Sequence, residues 1–307
     1  MTDLFLTGAT GFLGSRLLGR LDPAAFSSLT LLCRNEPQLP GRLAEAANVS
    51  VIRASLDEVD RYADRLGADS VIVHLAAVTG KTTRAEYFSV NTKATGLLIE
   101  AAGKAGVSGF LFASSIAVSF RDREGYHYAE SKEQAEQLLE ASGLPYCIIR
   151  PTVILGEESP IWKSFYSLAQ KSLIVLPGNG QALIQPIDVD DLARLIMDIV
   201  TGKRFNNEVL EIGGPDTLSM NEFVQRIHQA CRGGRARIVH LPLGLILGPL
   251  RLFERFLPSL LPVSSGQFAS FHNDGTVTAN ALAVPTGEPM HGIDDMLQQL
   301  TGSDDNV

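Results

Sequence analysis

The 307 residues include only three cysteines and one tryptophan, and no long run that is wholly apolar or wholly basic. Each shortage excludes something. Cys33, Cys147 and Cys231 are far apart, odd in number and form no CxxC pair, which argues against a disulfide framework and against a structural zinc site; no metal is expected. A chain of this length buries roughly three-quarters of the surface its unfolded form exposes and needs no such staple. With a formal charge of −8 and no basic block, it lacks the clustered Lys and Arg that hold phosphate backbones, which excludes nucleic acid as a partner. The longest uncharged apolar stretch, Ile238 to Leu250, is broken by Pro242, Gly244, Gly248 and Pro249. It falls short of the roughly 20 apolar residues a spanning helix needs, so no transmembrane segment is expected. Asp3 stands where a signal peptide would carry positive charge, and the N-terminus reads as a first strand. Free thiols and the missing leader together point to a cytoplasmic protein.

What is present is the alternation of a parallel sheet covered by helices. Short apolar runs at Leu4–Leu6, Leu29–Cys33, Val49–Ile52, Val71–Leu75, Gly109–Ala113 and Tyr146–Ile149 are separated by segments of helical period, such as the stripe Leu13, Leu17, Leu18, Leu21. The fold class expected is α/β: a doubly wound parallel sheet of the dinucleotide-binding kind with a smaller C-terminal substrate lobe. Residues 1–155 form the first unit and 156–301 the second, with segments near 187–192 and 209–215 returning to the sheet and 302–307 a frayed tail.

Thr7-Gly8-Ala9-Thr10-Gly11-Phe12-Leu13-Gly14 follows the first strand at once and opens the first helix. Residues without Cβ are needed where a turn takes positive φ or approaches a ligand, and the first helical N–H groups with the helix dipole favour an anion there. A dinucleotide pyrophosphate fits, although the spacing is GxxGxxG and not the commoner GxGxxG. The second strand ends in Cys33-Arg34, where an acid would bond the ribose 2′-hydroxyl of NAD. Arg34 can instead neutralise a 2′-phosphate, which favours NADP over NAD; the alternatives are a solvated arginine and a role for Glu36 at the ribose. The fourth strand ends in His74-Leu75-Ala76-Ala77, and across the switch point Ala76 and Ala77 face the glycine turn over the cofactor, or merely pack a helix on the sheet. His74 reads as a core histidine and not as a catalyst.

Tyr128 and Lys132 stand four residues apart, on one face of a helix. A neighbouring ammonium and a positive nicotinamide favour phenolate and bring the phenol's pKa toward working range, so that Tyr128 can exchange a proton with a carbonyl or alcohol oxygen. Ser115, at the carboxyl edge of the fifth strand, can donate a hydrogen bond to that oxygen, with Ser114 as the second candidate. Tyr126 has Glu130 four residues on and cannot replace Tyr128 in this pairing.

The order of Thr7 to Gly14, His74 to Ala77, Asn91 in Val90-Asn91-Thr92, Ser114-Ser115, Tyr128 to Lys132 and Arg150-Pro151-Thr152 resembles the extended and atypical short-chain dehydrogenase/reductases, the NAD(P)-dependent epimerase/dehydratase proteins. The likeness continues through Pro186 to Asp191 and Glu211 to Pro215. The resemblance implies that Ser115, Tyr128 and Lys132 are the catalytic set and that Lys132 also bonds the nicotinamide ribose. It implies that Asn91 organises the helix and water supporting that lysine, and that Pro151, Thr152 and Val153 pass along the nicotinamide. Asn91 can also be read as a simple helix-entry residue. The stretch from Ser115 to Tyr128 is short for the sugar-nucleotide members. Members are commonly dimers, so a homodimer is one expectation; a small-molecule substrate is the other partner.

The second lobe is apolar, with Ile161, Trp162, Phe165, Tyr166 and the stretch Leu241 to Leu261. Sugar-nucleotide enzymes must hold a diphosphate, usually with arginine or helix N-termini. The expected reaction is therefore reduction of a ketone or aldehyde on a fairly apolar molecule. The alternatives are a nucleotide-sugar epimerase or dehydratase that retains its cofactor, and a non-catalytic NAD(P)-binding regulatory protein.

Overall fold

The computed structural model describes residues 1–245, 268–269, 271–277 and 288–302. In chain order the first part comprises β1 (Thr2–Thr7), α1 (Phe12–Arg20), β2 (Phe26–Cys33), α2 (Gly41–Ala44), β3 (Val49–Arg53), β4 (Ser70–His74), α3 (Arg84–Tyr87), a π-helical turn (Phe88–Ala94), α4 (Thr95–Ala105), β5 (Gly109–Ala113), α5 (His127–Glu140) and β6 (Tyr146–Pro151). There follow β7 (Ile154–Leu155), α6 (Pro160–Ala169), β8 (Leu173–Pro177), β9 (Leu183–Ile184), β10 (Ile187–Asp188), α7 (Val189–Thr201), β11 (Glu208–Ile212), β12 (Leu218–Ser219), α8 (Met220–Arg232), β13 (Arg237–Leu241) and α9 (Ile293–Gly302).

Seven strands form one parallel sheet in the order β3-β2-β1-β4-β5-β6-β11. Its strands are nearly continuous apolar runs because both faces are covered. Leu4, Leu6, Leu29, Leu31, Val71 and Val73 pack one face against α1 and α7, while Phe5, Ile72, Phe110, Phe112 and Ile148 pack the other against α4 and α5. The six strands read from the sequence are all there, and β11, which overlaps the segment 209–215, supplies a seventh.

The segment 187–192 behaves differently from expectation. Ile187–Asp188 pairs with Ile154–Leu155 in a separate two-stranded sheet, outside the seven strands. Asp188 then caps α7 by accepting the N–H groups of Asp190 and Asp191, and the chain returns to the main sheet as a covering helix. The second lobe has its own core, in which Ile174, Leu176, Phe223, Val224, Ile227 and Met296 meet. Gly302 ends α9; the remainder of the expected tail, and most of the stretch Leu241 to Leu261, lie outside the described residues.

Candidate active site

The switch point of the sheet lies where β1 separates β2 from β4, and Thr7 is in register with both Leu32 and His74. Gly8 leaves the strand at φ +77°, and a Cβ there would stand 2.6 Å from the Ala76 nitrogen; one on Gly14 would collide with the Gly8 carbonyl oxygen. These two glycines let the turn lie flat against the β4 exit and let α1 start beneath it. Thr7 fixes the junction: its hydroxyl accepts the Ala76 N–H (3.3 Å) and contacts His74 Nδ1 (2.6 Å), and His74 Nε2 reaches Thr95 Oγ1 (2.9 Å). Burial pushes the His74 pKa down to about 3, so the ring is neutral and stacked on Phe112 at 5.5 Å. It is the core histidine read from the sequence.

The residues fit a dinucleotide. At the start of α1, Gly11 offers no side-chain cap and the first turn carries no acid, which leaves N–H groups and the positive dipole end for a pyrophosphate. Thr10 and Gly11 are exposed, Phe12 and Leu13 half-buried, and Ala76 and Ala77 half-buried across the gap. Gly156 closes onto the ring of Phe12, where a Cβ would come within 2.8 Å of Cζ, so the chain after β6 crosses close to the glycine turn. Pro151, the last residue of β6, is buried, and Val153 just beyond it is half-buried.

Helix α5 carries Tyr128, Lys132 and Glu136 one turn apart on a single face. Tyr128 lies beside Ser115, whose hydroxyl acts to lower the phenol's pKa, and is flanked by the rings of Tyr126 (5.9 Å) and Tyr87 (6.0 Å). Ser115 also accepts the Ala117 N–H, which fixes its rotamer at the end of β5. Burial pushes the Tyr128 pKa up to about 12, with the Ser115 hydrogen bond acting against it. Taking the phenolate out of water here outweighs the Ser115 hydroxyl; the lowering expected at Tyr128 depends on a positively charged nicotinamide as well as on Lys132. Lys132 is buried with Nζ 4.4 Å over the Phe112 ring, and desolvation pulls its pKa down to about 7 against the opposing charge of Glu136.

Asn91 does more than open a helix. It sits buried in the π-helical turn, accepts the Val78 N–H (2.8 Å), donates to the Val78 carbonyl (3.0 Å) and to Ser131 Oγ (3.1 Å), and so clamps the β4 exit to α5.

A protein-family model described as NAD(P)H-binding matches residues 8–201, more than half of the chain. The chain belongs to that family. The fold is that of solved epimerases and dehydratases, and the motif order resembles that of the extended and atypical short-chain dehydrogenase/reductases. The divinyl chlorophyllide a 8-vinyl-reductase of Cucumis sativus is 25% identical over 289 residues, 84% of this chain and 64% of that protein. The ceramide reductase of Caulobacter vibrioides is 30% identical over 190 residues, 61% of this chain and 57% of that protein. The chain therefore spans about three-fifths of the length of these two relatives. A solved structure of MoeE5 with UDP-glucuronic acid and NAD superposes over 99% of this chain and 100% of its own, with a TM-score of 0.74 at 22% identity. Reductases and a sugar epimerase both stand among the relatives, which makes this a family of NAD(P)-dependent oxidoreductases and epimerases.

Several family positions were legible in the sequence and several were not. Ser114 is buried, and its hydroxyl has no hydrogen-bond partner among the described residues; Ser115, not Ser114, meets the phenol. Arg34 is exposed just beyond β2, and the register Cys33↔Arg53 brings a second exposed arginine to the end of β3, unmarked by any motif. Glu136 was missed as well. Its buried carboxylate takes a bidentate pair from Arg150 (3.0 and 2.5 Å), whose other nitrogen donates to Ser119 Oγ (3.1 Å). A heptad-style reading of α5 could have found it, because Glu136 continues the Tyr128–Lys132 face.

Asp188, Asp191 and His291 could hold a metal by spacing alone. Their ligand atoms are already engaged: Asp191 Oδ2 takes the His291 N–H (2.7 Å) and Nδ1 (3.0 Å), and the Arg194 guanidinium lies 2.8 Å from its other oxygen. A cation there would meet another cation. A cleft of about 710 Å³ in the second lobe, bordered by Asn179, His240, Leu243 and Phe271, shares no lining residue with the Tyr128 site.

Proposed function

We propose that the chain is an NADP-dependent reductase of an apolar ketone or aldehyde, with Tyr128 as proton donor. The observation that carries this reading is the placement of the phenol: Tyr128 lies beside Ser115 and one turn before the buried Lys132 on the same face of α5, and it holds its proton at neutral pH, as a donor to a carbonyl must. When bound, the reduced nicotinamide supplies hydride to the carbonyl carbon. As that carbon is reduced, Tyr128 gives its proton to the oxygen, Ser115 hydrogen-bonds the same oxygen, and the phenolate left on Tyr128 is stabilised by Lys132 until a solvent proton replaces the one lost. Lys132, with a pKa near 7, is in part charged for that task at neutral pH. Asn91, through Ser131, holds α5 in place.

Support for an apolar substrate comes from the second lobe, where Phe165, Tyr166, Leu168 and Val153 surround its core, and from a relative whose name is a reductase of a ceramide. NADP is favoured by the paired arginines Arg34 and Arg53 at the ends of β2 and β3.

The purified chain is expected to oxidise NADPH stoichiometrically with members of an aldehyde and ketone panel. Tyr128→Phe should lower the rate by about 100-fold or more, with the NADPH dissociation constant nearly unchanged. Equal rates in wild type and variant would remove Tyr128 from the chemistry, and turnover without net NADPH loss would identify an epimerase. NADPH should bind more tightly than NADH, and the two affinities should converge in Arg34→Ala/Arg53→Ala; equal affinities in the wild type would overturn the cofactor assignment.

A further inference from the structure

Strands β8 and β13 pair in parallel with the register Leu173↔Arg237, Val175↔Val239 and Pro177↔Leu241. Side chains alternate across such a pair. One face is core: Ile174 and Leu176 are 0% exposed and pack with α8. The other is apolar as well, yet Leu173, Val175, Val239 and Leu241 are each between 42% and 51% exposed, and Leu245 just beyond is 71% exposed. Nowhere else among the described residues do exposed large apolar side chains line up in register.

The charge around this face is opposite to that of the chain. From Phe223 to Leu245 the sequence has four arginines and no Asp or Glu, within a chain of net charge −8. Arg226 is paired with Asp294 and Arg232 is held by the Gln170 carbonyl. Arg235 and Arg237, at the start of β13, are exposed and enter no ion pair among the described residues, and Lys171 is exposed beside the start of β8. An apolar strip with free cations at one end is what an anionic lipid surface attracts: the headgroups meet the arginines and the acyl boundary meets the leucines and valines. A protein partner would need an apolar patch of its own edged by acids, whereas a bilayer supplies both layers over any area.

We propose that the outer face of β8 and β13 is a docking surface for an anionic membrane, on which the enzyme rests peripherally without spanning it. No helix among the described residues is long and apolar enough to cross. The inference stands apart from the chemistry at Tyr128, because the face belongs to the second lobe and shares no residue with that site.

Flotation of the full chain with extruded vesicles tests it. The protein should float with phosphatidylcholine vesicles containing about 30 mol% phosphatidylglycerol and much less with phosphatidylcholine alone. Leu173→Ser/Val175→Ser/Val239→Ser/Leu241→Ser should reduce the bound fraction by about tenfold, and Arg235→Glu/Arg237→Glu should abolish the preference for anionic vesicles. Leu138→Ser, which removes an exposed leucine from the first lobe, should bind as wild type does. Thermal melting and NADPH affinity, unchanged in these variants, show that the fold and the cofactor site are intact. The proposal falls if the wild type fails to float or if the serine variant floats equally. It falls too if light scattering shows a dimer that the serine variant dissociates, since the face is then covered by a second copy. A melting temperature sharply lowered by the serines, with no vesicle binding in the wild type, would assign the face to another part of the same chain.

Discussion

In the seven-stranded lobe the buried polar groups are joined in chains, from Thr7–His74–Thr95 to Asn91–Ser131 and Glu136–Arg150, and few large apolar side chains reach solvent. The second lobe, built from β7 onward, has buried polar links too, such as His228 Nδ1 to the Ala169 carbonyl and Gln185 Nε2 to the Gly214 carbonyl, but there Ile161, Leu173, Val175, Val239, Leu241 and Leu245 face outward. The difference fits what is proposed for each lobe. A charged dinucleotide and a proton donor need groups fixed to within fractions of an ångström, and a buried network provides that because each unsatisfied member would be costly. An apolar substrate or surface asks only for area and shape.

The comparison can be broken first at the glycine turn. Gly14→Ala places a methyl against the Gly8 carbonyl with no side chain able to move aside. It should destabilise the fold by about 1–3 kcal/mol and lower NADPH affinity by more than any substitution in the second lobe, as read by chemical denaturation and fluorescence titration. An alanine variant that binds as the wild type does would show that backbone approach at this turn is not needed.

A smaller but more diagnostic effect is expected at Glu136. Its charge holds the Lys132 pKa up against burial, so Glu136→Gln should push that pKa below its value of about 7. The sign follows: Lys132 is charged below its pKa, hence the limb on which reduction falls as pH rises should move to lower pH. The rate at pH 7 should drop severalfold while the rate near pH 5.5 recovers toward wild type. If Glu136 only braces Arg150, the melting temperature will fall and the pH profile will keep its position. His74 should leave that profile untouched, since its pKa near 3 keeps it neutral throughout.

What could be read from the sequence was local. The glycine turn, the Tyr128–Lys132 spacing and Ser115 at a strand end are each written within a few residues, and each occupies the expected place on its element. The Glu136–Arg150 pair, the clamp from Asn91 to Val78 and the neighbourhood of Arg34 and Arg53 join segments brought together by the sheet order, and no single window contains them. Spacing reveals the charged neighbour of Tyr128 but not the water that burial removes, so the upward push of desolvation on the phenol was not legible. The segment 187–192 misled for a related reason: Ile187-Asp188 has strand character, but Asp188 spends its carboxylate on the start of α7, and the helix wins the following residues.

The finest test of the contrast between lobes lies in two adjacent residues of β8. Ile174 is fully buried and Val175 is 42% exposed, one step apart on opposite faces of the same strand. Ile174→Thr removes core methyl groups and buries a hydroxyl beside Phe223 and Leu176, which should cost about 2–4 kcal/mol. Val175→Thr is nearly isosteric, keeps the β-branch that suits a strand and leaves its hydroxyl in water, so it should stay within about 0.5 kcal/mol of wild type. Urea denaturation of both variants measures the difference directly. A Val175→Thr cost approaching that of Ile174→Thr would mean that the outer face is already packed in the isolated chain, and the division between a lobe that hides its apolar residues and one that presents them would no longer hold.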